Sequence, residues 1–279
     1  DLSGAIFEQC VFRGARLRGA AFKESILTEC DFAGAEMIGV DLRHTVVVKC
    51  DLSRAVLREA RFAVAQVSET DLSSADLSAA TLVATTVLSS DLSGGNLSRA
   101  TLDRTSIVDT RLAGVDLRAA IVKQATLAKA DLTSAQLAGA RFEMAVLVGA
   151  RLSGLNLRQM SFAMSQFTGA DLAGCDLTDA TLTQCNFKDA VLTGALLAGA
   201  SAANALFLGA KLDGANLAGA LLHQSLFIDA DLGGADLSGA RLHQAAFTKA
   251  RCADARFVGA DLTYADFTHA DVSRADFSG

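Results

Sequence analysis

Residues 215–239 read ANLAG ALLHQ SLFID ADLGG ADLSG: five units of five, with Leu217, Leu222, Phe227, Leu232 and Leu237 at the third place of each. A period of five fits neither the helix repeat of 3.6 nor the strand repeat of two, so each unit supplies a short extended piece and a turn. Read outward in both directions, the register never slips. Residues 2, 7, 12 and onward to 277 give 56 apolar centres without an insertion, and Leu, Phe, Ile, Val or Met fills all of them except Ala202 and Cys252. A fixed short period held this long marks a repeat solenoid.

The residue two before each centre confirms the register. Of the 55 such positions from Ala5 to Ala275, 36 are Ala, and most of the others are Cys, Ser, Thr or Gly. One large and one small inward side chain per unit suits a narrow tube. All 15 Phe occupy centres, whereas 21 of the 23 Gly, among them Gly4, Gly14, Gly139 and Gly219, lie two residues after one. Phe is therefore read as core and Gly as turn, since Gly removes the steric cost of unusual turn dihedrals.

Units such as Ala75-Asp76-Leu77-Ser78-Ala79, Ala215-Asn216-Leu217-Ala218-Gly219 and Ala235-Asp236-Leu237-Ser238-Gly239 resemble the pentapeptide-repeat family, and the resemblance spans the whole chain. It implies an all-β fold, a right-handed quadrilateral parallel β-helix with twenty residues per coil and about 14 coils over these 279 residues. At an inter-strand spacing of about 4.8 Å the expected rod is roughly 65 Å long.

Composition adds bounds. With no Pro, no Ser/Gly linker and no charge run, residues 1–279 read as a single continuous solenoid. Because its first and last units lack an atypical cap, it is expected to be part of a longer protein. The mean hydropathy is positive, yet no apolar stretch approaches the ~20 residues of a membrane span. Cys10, Cys30, Cys50, Cys175 and Cys185 replace the small inward Ala and Cys252 a centre, so all six are expected to be reduced, buried, small hydrophobes.

Folding the sequence at twenty residues per coil sorts the outward positions into four sides, and one side differs. It carries Ile6, Ile26, Val46, Val146, Leu206 and Leu226 before its centres, and Val48, Leu88, Val108, Val148, Leu208 and Ile228 after them. That makes 12 large apolar residues in 28 positions, against 3, 2 and 4 on the other sides. Val146, Val148, Leu206, Leu208, Leu226 and Ile228 are the expected contact residues for a partner. Beneath this side runs a ladder of central Phe at 167, 187, 207, 227, 247 and 267, read as stacked core. Charge is uneven too: residues 171–240 hold eight Asp against Lys188 and Lys211, and Asp171, Asp176, Asp229, Asp231 and Asp236 form the candidate acidic surface.

No phosphate-binding loop, HExxH, CxxC pair or nucleophile elbow occurs, so no catalytic, cofactor or metal residue is assigned. His223 and His243 lie twenty apart and are read as a surface ladder, because no third ligand accompanies them. The expected function is a non-enzymatic interaction scaffold with a protein partner, a homodimer or lateral self-association, without direct nucleic-acid binding or a membrane span. It would act as a bacterial cytoplasmic protein or as a secreted effector or secretion-system accessory module. The family resemblance also implies an alternative, a DNA mimic that binds gyrase or topoisomerase IV and confers quinolone-type resistance. Against it stand the 25 Lys and Arg among 31 acidic residues, a net charge of only -6, and the lack of any projecting loop or terminal dimerising helix.

Overall fold

In a computed structural model describing residues 1–279, hydrogen-bonded neighbours stand twenty residues apart: Ile6 pairs with Ile26, Val11 with Asp31, Arg16 with Glu36 and Ala21 with Asp41, all in parallel. Four pairings per twenty residues define four sides, so the fold is the expected four-sided parallel β-helix. Two compact units, Asp1–Arg141 and Phe142–Gly279, each hold about seven twenty-residue coils.

Both inward predictions hold. In the second unit the centres from Leu147 to Phe257 are buried, and so are the small residues between them, with Leu155 half-buried. The Phe ladder stacks face to face, with ring centroids 5.0 Å apart for Phe167–Phe187 and Phe187–Phe207, 4.8 Å for Phe207–Phe227, 4.9 Å for Phe227–Phe247 and 4.6 Å for Phe247–Phe267. The first unit has Phe7, Phe12, Phe22 and Phe32 in edge-to-face and stacked contacts at its start, and mostly Leu, Val and Ile beyond. The turn residue two after each centre adopts positive φ in every unit but that of Ser134, and 21 of the glycines sit there. Among the other occupants Val64 is the one β-branched residue, at φ 61°, a conformation that is sterically costly for its side chain.

The turns come in two forms that the periodicity does not separate. In the tight form, the N–H of the small inward residue donates back to the carbonyl of the preceding centre, as Ala15 does to Phe12 at 2.9 Å. In the open form this bond is absent and three residues form a true strand. The open form occupies one side of the first unit as β1 (Ile6–Glu8), β2 (Ile26–Thr28), β3 (Val46–Val48), β4 (Gln66–Ser68), β5 (Thr86–Leu88) and β7 (Ser106–Val108). It recurs on a neighbouring side as β6 (Thr101–Asp103), β8 (Ile121–Lys123) and β9 (Arg141–Glu143), the last lying at the division between the units.

Beneath the first six of these strands the inward residue is Cys10, Cys30, Cys50, Thr70, Ser90 or Thr110 rather than Ala. The N–H freed by the open turn finds the side chain one coil ahead. Cys30 N–H points to Cys50 Sγ (3.4 Å), Cys50 N–H to Thr70 Oγ1 (3.4 Å), Thr70 N–H to Ser90 Oγ (3.1 Å) and Ser90 N–H to Thr110 Oγ1 (3.4 Å). Each hydroxyl in turn donates to the carbonyl two residues before it, as Thr70 does to Ser68 at 2.8 Å. Buried backbone donors need partners, and this relay supplies them.

The six cysteines are free thiols, as expected, but Cys10 is only half-buried and Cys30 and Cys50 are hydrogen-bonding members of the relay rather than plain apolar filler. Burial raises the Cys50 and Cys175 thiols to about 11 and those of Cys185 and Cys252 to about 12. They are poor nucleophiles at neutral pH.

Candidate functional site

Outward apolar residues divide by unit. In the first unit Ile6, Ile26, Val46, Val48, Leu88 and Val108 all lie within open-turn strands. Strand propensity accounts for β-branched residues there, since they suit a pleated backbone. In the second unit that account fails. Val146, Val148, Leu206, Leu208, Leu226 and Ile228 stand at tight-turn corners, where the backbone makes single bridges and no strand.

Leu206 and Leu226 are bridge partners on successive coils, and Leu208 and Ile228 flank them across the stacked Phe207 and Phe227. The four side chains form one outward patch, each half-buried by its neighbours. Below it lie Asn186 and Lys188, one coil earlier, and above it Ala246 and Thr248. Val148 is 38% exposed; it and Val146 lie three coils before Leu206 and Leu208, so the structure brings together four of the six predicted contact residues and leaves two apart.

The five predicted acidic residues are also dispersed. Asp171 and Asp231 share a column three coils apart, with Val191 and Lys211 between them, and Asp176 and Asp236 share the next side with Leu196 and Asn216 between. Only Asp229, Asp231 and Asp236 are local neighbours. Four of the five carboxylates are engaged in their own turns, where Oδ1 accepts the N–H two residues on: Ala173 at 3.1 Å, Thr178 at 3.0 Å, Gly233 at 3.2 Å and Ser238 at 2.9 Å. Such Asx turns explain the Asp of the repeat by local geometry. Asp231 further pairs with Arg251 at 2.7 Å and Asp176 with Arg158 at 3.3 Å. The Thr178 hydroxyl and N–H, with Arg158, hold the Asp176 carboxyl below the usual range against the opposing effect of burial.

His243 packs edge-on against Tyr264 with ring centroids 5.5 Å apart. No helix is long and apolar enough to cross a membrane. The relay hydroxyls escaped the sequence reading, although Cys, Thr and Ser replacing Ala at spacings of twenty were the available signal.

Family models described as pentapeptide repeats match residues 2–46, 35–73 and, in overlapping or adjoining segments, 89–279. No curated protein matches in sequence. Among solved structures, HetL, a pentapeptide repeat protein involved in heterocyst differentiation regulation in the cyanobacterium Nostoc sp. strain PCC 7120, is 26% identical. That likeness covers 96% of this chain and 90% of HetL at a TM-score of 0.33. A pentapeptide repeat protein of the Arabidopsis thaliana thylakoid lumen is also 26% identical, covering 42% of this chain and 68% of that one, with a TM-score of 0.31. QnrB1, a plasmid-mediated fluoroquinolone resistance protein, is 22% identical over 68% of this chain and 92% of its own, with a TM-score of 0.35.

Proposed function

The chain belongs to the pentapeptide-repeat family, and from that premise we propose that it is a non-enzymatic protein-interaction scaffold whose contact surface is the patch of Leu206, Leu208, Leu226 and Ile228. The observation that carries this reading is the position of these residues at tight-turn corners, where strand propensity gives no reason for large apolar side chains. Grouped apolar side chains facing water favour burial by a partner, each contributing up to about 1.5–3 kcal/mol when fully covered, and less here because each is already half-buried. Val146 and Val148 extend the same side and are proposed as an outer contact.

The test is a Leu208→Ser/Ile228→Ser double variant. It should melt close to the parent, because neither side chain is core, while sedimentation shows weakened self-association or pull-down shows weakened partner capture. Unchanged association and capture would remove the patch from consideration. Asp171, Asp176, Asp229, Asp231 and Asp236 serve the alternative DNA-mimic reading, which the turn bonds and Arg partners of these carboxylates disfavour. Inhibition or protection of gyrase in a supercoiling assay, lost when all five are neutralised, would put that reading first.

A further inference from the structure

Within the first unit the ladder between successive coils comes apart at one place. The column of bridges that runs Asp51, Asp71, Asp91, Arg111 is not continued from Arg111 to Asp131. One coil earlier, Ser89 N–H reaches the Val108 carbonyl at 3.0 Å, Leu92 N–H reaches Arg111 at 2.8 Å and Gly94 N–H reaches Ala113 at 2.8 Å. The matching N–H groups of Asp109 and Leu112 have no protein partner, and Gly114 N–H takes the Ser134 hydroxyl at 2.9 Å instead of a backbone carbonyl. Positive φ is held at the turn position of every unit except that of Ser134. Between the separated segments lies a cavity of about 410 Å³.

The cause is a change of turn. β7 makes an open turn, whereas the corner above it is tight, with Ala130 N–H donating to Leu127 at 3.2 Å. The same change occurs in the second unit between Phe142 and Phe162 without a break. There Ser165 Oγ accepts the N–H of Ala145 at 3.0 Å and donates to the Phe142 carbonyl at 3.0 Å. The ladder continues, with Met144 N–H to Ala163 at 3.0 Å and Leu147 N–H to Gln166 at 2.8 Å. In the first unit the place of Ser165 is taken by Ala130, which has no hydroxyl to offer.

We infer that this cleft is a binding site for a short extended peptide of small residues, taken up by strand addition. One wall offers the unpartnered N–H groups of Asp109 and Leu112, and the opposite wall offers the Ala128 carbonyl that would have received Asp109. A ligand between them must accept on one side and donate on the other. Extended peptide backbone does both, which is the basis of recognition by β-augmentation. The volume falls within the ~300–1,000 Å³ typical of small-ligand sites. Ile107, Leu112, Ala128 and Ala130 line it and leave room for methyl-sized side chains. Asp109 and Lys129, of opposite charge, both border it, which suits the uncharged interior of a peptide better than either terminus.

The experiment titrates the ¹⁵N-labelled chain with N-acetyl-trialanine methylamide. Saturation should shift the amide signals of Asp109, Leu112 and Gly114 and slow hydrogen exchange at Asp109 and Leu112 by about tenfold or more. A peptide N-methylated at its central amides should bind at least about tenfold more weakly, a factor worth about 1.4 kcal/mol. The Ala130→Ser variant, with a hydroxyl placed to close the break, should retain its melting transition and lose peptide binding. Scattered shifts or none at millimolar peptide, equal binding of the methylated peptide, or full binding by a folded Ala130→Ser protein would each overturn the assignment. The methylated peptide decides the matter on the parent chain alone should the variant not fold.

Discussion

At Ile107 and at Phe142 an open turn is followed one coil later by a tight one, and the apolar pattern through both steps is the same: a large centre, a large centre above it, and a small inward residue between coils. In the second unit Ser165 joins the two turns and the ladder runs through; in the first, Ala130 leaves Asp109 and Leu112 without acceptors and a cavity opens. The hydrophobic register therefore holds the coils in sequence but does not close the backbone where turn type changes. A buried hydroxyl does that. Where successive turns are alike no such oxygen is required, since Arg104 N–H reaches Lys123 at 2.8 Å between the open turns of β6 and β8.

The largest expected effect separates the two steps by their centres. Phe142→Ala should destabilise by about 3–5 kcal/mol, because its ring is buried and stacked on Phe162 at 5.3 Å. Ile107→Ala should fall near the low end of the ~2–5 kcal/mol range for aliphatic truncation, since its surroundings already include open space. Equal losses in urea melts would show that the cavity does not soften the first step.

Ser165→Ala comes next. It leaves the Ala145 N–H and the Phe142 carbonyl buried without this partner, at a cost of about 1–3 kcal/mol. Hydrogen exchange at Met144 and Leu147 should accelerate, copying the break of the first unit into the second. If exchange there stays as slow as in the parent, the hydroxyl is not what closes the step. The reciprocal change, Ala130→Ser, should raise stability by about 1 kcal/mol, provided the new oxygen finds Thr110 N–H and the Ile107 carbonyl. A thermal scan that shows a loss would mean that the cleft resists closing.

The smallest effect is a control by pH. The relay and Ser165 carry no group that titrates between mild acid and neutrality, so the stability gap between parent and Ser165→Ala should stay constant across that range. Asp41 behaves differently. Arg43, bonded at 2.7 Å, and Arg61 at 3.2 Å hold its carboxyl below the usual value. A depressed folded value means that its contribution is complete above the ordinary carboxylate range and is lost as pH falls through the folded value. Asp41→Asn should accordingly narrow its deficit toward the parent in acid, and a deficit that grows instead would reverse the assignment.

The inward half of the fold was legible because it depends on local identity alone: Phe207 stacks where counting by five places it, and Gly219 turns at φ 66°. Turn type was not legible in the same way. Nor was the partner of the N–H that an open turn frees, which depends on whether the residue twenty ahead carries a hydroxyl or thiol, so Thr70 matters to Cys50, and Ser165 to Ala145, across the full length of a coil. The apolar patch emerged from folding the sequence at twenty, but its division into strand-based and corner-based halves required the backbone. Asp171 and Asp236 looked like surface charge until their oxygens were found accepting the N–H groups of Ala173 and Ser238.

Bridge partners exactly one coil apart also constrain how such a gene can change length. Within the second unit, loss of twenty codons would remove one coil and return every later side chain to its own side, shortening the Phe ladder by a single ring. Loss of five codons between Phe187 and Phe207 would keep the core register but turn everything downstream by a quarter, severing the ladder and carrying Leu206 and Leu208 to a different wall from Val146 and Val148. Any count that is not a multiple of five would put polar residues inside. Insertions and deletions in this chain are thus sorted into three classes, translation of the surface, rotation of the surface, and ruin of the core, by arithmetic on the codon number alone.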